Sequence, residues 1–124
     1  MTKENQDLYL QFLREISEGD GDLNRLEDSL TGVAYIYHLS GLEAEFLGYD
    51  DSDRKVITLY GSEDKDPVGE PVKCILESEM IPSIAVYAYA AENPFTEDEK
   101  EELEMYSTVC GLVLQKFKIA GMIW

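Results

Sequence analysis

One histidine and two cysteines are the residues whose types most readily suggest nucleophilic or metal chemistry, and their spacing does not assemble a site. His38 lacks the second histidine at i+4 that a helical zinc motif needs, and nothing in the pattern ties it to a serine or cysteine nucleophile. Cys74 and Cys110 fall outside any Cys-x-x-Cys or Cys/His cluster and read as small buried hydrophobes in a reducing compartment. The acid-rich stretch "DGDLNRLED" lacks the Gly and terminal Glu of a calcium-binding EF-hand loop, and "DDSD" is too short for one, so both read as solvated turns. "GSEDKDPVGEP" has glycines without the spacing that cradles phosphate. Tyr35, Tyr37, Tyr87 and Tyr89 are expected to share a sheet face and pack there. The sequence therefore predicts no catalytic residue, no metal site and no cofactor, and it names no ligand-binding residue.

Charge narrows the partners. With 26 acids against 10 bases the net charge is −16. Such a surface repels a nucleic-acid backbone and an anionic lipid headgroup, since both are met by clustered Lys and Arg. It reads as a solvated acidic surface, or as a face built for a basic partner. The opening "MTKENQDLYL" has no basic segment followed by an apolar one, and no apolar run approaches the roughly 18 residues that span a bilayer. The expectation is a cytoplasmic protein.

The elements follow from hydrophobic spacing. "NQDLYLQFLREISEG" places Leu8, Phe12, Leu13 and Ile16 at helical intervals and stops at Gly19-Asp20-Gly21. "DLNRLEDSLTG" predicts a short second helix through Leu23, Leu26 and Leu30, ending at Gly32. From there the pattern reads as strands: "VAYIYHL", a turn at Ser40-Gly41, "EAEFLGY", "KVITLY", "VKCILES" and "IAVYAYA". The last is apolar on both faces and is expected to lie centrally, covered on both sides. The prediction is a single α+β domain over 1–124, with a five-stranded, mainly antiparallel sheet and N- and C-terminal helices packed on it.

The C-terminal helix has the clearest start. Thr96 and Glu99 have capping-box spacing, and Glu97 and Asp98 suit the positive end of the helix dipole. Beyond it Leu103, Tyr106, Cys110, Val113, Phe117, Ala120 and Trp124 recur at alternating intervals of 3 and 4, a heptad seam. A second row, Val109, Leu112, Ile119 and Ile123, runs beside it, interrupted by Lys116. A helix from residue 96 to 124 would run roughly 40 Å, longer than the roughly 25 Å width of five strands. Its last turns are therefore expected to project, and the seam to be shared between two copies in a homodimer.

This order of elements resembles a compact GAF domain, the small-molecule sensor module of signalling proteins. The likeness rests on "NPFTEDEKEELEMYSTVCGLVLQKF", similar to the turn and helix that lead to an output domain. "LTGVAYIYHLSGLEAEFLGY" is similar to the family's first strand pair, and "SIAVYAYAAE" to the strand before the final helix. The resemblance implies a GAF/PAS-like fold and a non-catalytic sensor, with a small-molecule ligand that the sequence leaves unknown. The start of a signalling helix over 96–124 would relay its state to a covalently linked output domain. In this family such outputs include GGDEF and EAL enzymes of cyclic diguanylate turnover, whose motifs the chain itself lacks. The alternative from another class is a small acidic dimeric secretion chaperone, complete at Trp124 and binding unfolded segments on exposed apolar patches.

Overall fold

The computed structural model describes residues 2–18, 22–48, 55–61, 68–121 and 123. Thr2 opens the first helix: its hydroxyl accepts from the Asn5 amide at 3.1 Å, and α1 runs over Lys3–Glu18. Asp22 does the same for α2, accepting from the Arg25 amide at 2.8 Å. The Asp of "DGDLNRLED" nearest that helix is thus a cap, while Gly19, Asp20 and Gly21 lie outside the described residues.

α2 overturns part of the strand prediction. It continues past Gly32 and spans Leu23–Tyr37, so "VAYIYHL" supplies helix rather than the first strand. Val33, Tyr35, Tyr37 and Leu39 alternate, but Val33 and Tyr37 are also one helical turn apart and extend the buried face of Leu26 and Leu30. Burial of Val33, Ala34 and Tyr37 decides between the two periods, and Tyr35 is left 78% exposed. Gly32 in the interior costs about 1 kcal/mol against alanine, less than three buried side chains return. The helix stops at His38, which takes the left-handed conformation (φ 53°, ψ 54°) and donates its amide to the Ala34 carbonyl. His38 is therefore an exposed C-cap, not a strand residue. One residue suffices for the turn, so Ser40 and Gly41 lie inside a strand instead of between two.

Among the described residues the sheet accordingly has four strands, not five: β1 (Leu39–Phe46), β2 (Lys55–Gly61), β3 (Val72–Leu76) and β4 (Ile84–Ala90). Their order is β2-β1-β4-β3 and every pairing is antiparallel. β4 is central as expected, but helices cover only one of its faces; over Ala85, Tyr87 and Tyr89 on the other there is no described helix. The "DDSDR" loop and residues 62–67 of the Pro/Gly-rich segment lie outside the described residues. α3 then spans Glu97–Ile119.

Packing sorts the sheet into unlike faces. Leu42, Ala44 and Phe46 of β1, Ile84, Val86 and Ala88 of β4, and Val72 of β3 belong to one buried cluster with the helices. α2 lies over β1 and β2, α3 over β3 and β4, and α1 packs on α2. Gly111 lets α3 approach closely, because a Cβ there would run into the Leu76 side chain. The opposite face carries two cross-strand rows, Lys73–Tyr87–Glu43–Thr58 and Ile75–Ala85–Glu45–Val56. No described helix lies on it. Among the described residues no helix is long and apolar enough to cross a membrane.

Candidate functional site: the terminal helix and the sheet beneath it

The capping box of α3 is complete. Thr96 Oγ1 accepts from the Glu99 amide at 3.2 Å, and Glu99 Oε1 accepts from the Thr96 amide at 2.9 Å. From this fixed start the helix turns its residues toward either the sheet or solvent.

The seam expected between two copies faces this chain's own core along most of its length. Leu103, Tyr106, Cys110 and Phe117 are buried against the sheet and the other helices. Val113 is half-buried against the same cluster, Ala120 is exposed, and Trp124 lies outside the described residues. A stripe 3.6 residues per turn wide enough to cover β3 and β4 produces the same 3–4 spacing as a coiled coil, and spacing alone does not say which partner covers it. Leu103, Tyr106, Cys110, Val113 and Phe117 are brought together, on the inner side.

The opposite side of α3 carries what the inner side does not need. Met105, Leu112 and Ile119 are 40%, 56% and 66% exposed and stand seven residues apart. Asp98 and Glu101 lie toward the N-terminal end of this side and Lys116 toward the C-terminal end, all exposed. Of the second apolar row of the sequence, Leu112 and Ile119 are left to solvent, while Val109 and Ile123 pack partly buried against the core.

Polar groups fasten α3 inside. Gln115, buried, donates from Nε2 to the carbonyls of Leu76 (3.5 Å) and Pro82 (3.4 Å), which tie the helix to the end of β3 and the approach to β4. Cys74 Sγ lies 3.4 Å from Thr108 Oγ1. Nearer the cap, the buried Glu102 carboxylate accepts from Tyr37 Oη of α2 at 3.1 Å and from Asn5 Nδ2 of α1 at 3.3 Å. This node joins all three helices. Tyr106 sits within it: its ring meets Tyr9 and Phe12 edge-on at 5.1 Å and Tyr37 at 5.8 Å, while its buried hydroxyl finds no hydrogen-bond partner among the described residues. Burial, then the Glu102 charge, then Tyr9 push the Tyr106 hydroxyl up to about 12. Burial, then Tyr106 and Glu102, raise that of Tyr37 well above its ordinary value. Burial likewise pushes the Cys110 thiol up to about 12, so Cys110 is a core residue without thiolate character.

Sequence reasoning missed Glu102 and Gln115 as interior groups. The only available signal was position: each is beside an inward apolar residue, Leu103 and Leu114. In so acidic a helix start a single Glu does not stand out.

On the open sheet face Tyr87 and Tyr89 stack at 6.4 Å and 28°. Tyr89 Oη donates to Glu43 Oε1 at 2.7 Å, and Lys73 Nζ sits 5.6 Å from the Tyr87 ring centroid. Of the four tyrosines assigned to one sheet face, only these two lie there; Tyr35 and Tyr37 belong to α2. A mixed-charge groove of about 380 Å³ opens where Lys73 and Glu70 meet Lys100 and Glu104. Among the described residues no group of three His, Cys, Asp or Glu could hold a metal ion.

No family model, no curated protein and no solved structure matches the chain.

Proposed function

We propose that the chain is a non-catalytic regulatory module of the GAF-like kind, acting in the cytoplasm. A small ligand or a partner met at the open sheet face biases how α3 is seated, and α3 carries that bias to a covalently linked output domain. An enzyme of cyclic diguanylate turnover is the output class that the resemblance suggests.

The supporting observation is that β3 and β4 have two faces of different kinds, one open and one covered by α3. One carries Lys73, Tyr87 and Tyr89 in an aromatic and charged array; the other is the bed of α3, held by Gln115 and by the Gly111 approach. Close-packed interiors shift as units, so a change of strand position under one face displaces what lies on the other. α3 is 23 residues long, about 35 Å at 1.5 Å per residue, and its outer side stays in solvent. A rod that touches the sheet along one side and the outside along the other is the part a relay needs.

A double-mutant cycle tests the coupling. Tyr87→Ala on the open face and Gln115→Ala under α3 remove groups on opposite faces of the sheet. In urea unfolding the pair is expected to deviate from additivity by at least about 0.5 kcal/mol. Additivity within about 0.3 kcal/mol would count against a mechanical link between the two faces.

A further inference from the structure

We propose that the outer side of α3 is a self-association surface on which a second copy of this chain packs antiparallel. The inner seam is already occupied by the chain's own sheet, so a pairing surface on α3 has to be the other one. There Met105, Leu112 and Ile119 stay exposed at seven-residue intervals, the repeat that keeps one line of side chains facing a partner helix.

Charge sets the direction. Asp98 and Glu101 occupy the N-terminal part of this stripe and Lys116 its C-terminal part. Parallel pairing would bring Glu101 to Glu101 and Lys116 to Lys116. Antiparallel pairing brings each acid to a base and sets the two helix dipoles head to tail. An overlap centred on Thr108 and Val109 lays Met105 on Leu112 of the second copy, twice by symmetry. The same overlap puts Lys116 opposite Glu101, with Ile119 opposite Asp98 one turn further out at each end. Both residues at the centre are half-buried, so the helices approach without a bulky ridge between them. The surface uses no residue of the open sheet face, and its test reads association rather than coupling across the sheet, so it can fail without the regulatory reading failing.

Sedimentation equilibrium of the full chain over a micromolar-to-millimolar range tests it. A reversible dimer is expected. Leu112→Asp is expected to weaken it by about tenfold or more, with an unchanged far-ultraviolet circular dichroism spectrum because Leu112 is not part of the core. Lys116→Glu is expected to weaken it by roughly tenfold, and Glu101→Lys combined with Lys116→Glu to restore it. A strict monomer throughout the range, or a dimer indifferent to Leu112→Asp, overturns the surface. A charge swap that fails to restore the dimer overturns the antiparallel arrangement.

Discussion

Tyr37 and Tyr106 are chemically identical and sit within ring contact, yet their hydroxyls have opposite roles. Tyr37 Oη donates to the buried Glu102 carboxylate; Tyr106 Oη has no hydrogen-bond partner among the described residues. Deleting a satisfied donor strands a buried carboxylate, whereas deleting an orphan removes only a desolvation cost. Tyr37→Phe is therefore expected to lower stability by about 1–2 kcal/mol, and Tyr106→Phe to leave it within about 0.5 kcal/mol or raise it. Denaturant midpoints at matched slopes read the difference. The same node sets an alkaline limit. The Tyr106 hydroxyl rises from its ordinary 10 to about 12 in the folded state, mainly through burial, and Tyr37 shifts the same way. A group whose folded value is raised contributes stability that is whole below its unfolded value and is lost as pH climbs through the folded one. Stability should hold up to pH about 10 and fall toward pH about 12. Tyrosinate absorbance should show late-titrating tyrosines that appear only as the far-ultraviolet dichroism collapses. None of this was legible in the sequence, because a helix with Glu at 97, 99, 101, 102 and 104 gives no sign which carboxylate points inward. The capping pair was legible, since Thr96 and Glu99 act through local backbone geometry alone.

At the scale of elements, local signals survived and period signals competed. The start of α3 and the central place of β4 followed from a cap and from an unbroken apolar run. Residues 33–37 did not, since "VAYIY" satisfies a strand period over one interval and a helix period over another. The bed supplied by β1 and β2, which no short window contains, settled it. Thr96→Ala should therefore cost about 1 kcal/mol, read as a lower thermal midpoint, because it removes a cap that nothing else replaces. Gly61 is the sharper case. It takes φ +86° where β2 closes on β1, and a Cβ there would collide with the Ser40 carbonyl oxygen. Gly61→Ala should cost about 2 kcal/mol, from left-handed strain plus a backbone clash that no rotamer relieves.

For the whole molecule, the α+β class and the helix-covered sheet could be read from spacing, but which seam of α3 faced inward could not. Both rows have near-heptad intervals, and the choice depends on the sheet the helix meets, a long-range fact. With Leu103, Tyr106, Cys110 and Phe117 taken by the core, the proposed relay is α3, whose inner side lies on β3 and β4 and whose outer side meets solvent. Methyl nuclear magnetic resonance of Met105, Leu112 and Ile119 tests that claim most directly. The spectra should be compared between the wild-type chain and Tyr87→Ala, with Tyr35→Ala on the exposed side of α2 as control, below the concentration of self-association. The account expects all three α3 methyl environments to shift in Tyr87→Ala and to stay in place in Tyr35→Ala. Shifts confined to the sheet, with the α3 methyls unmoved, would contradict it.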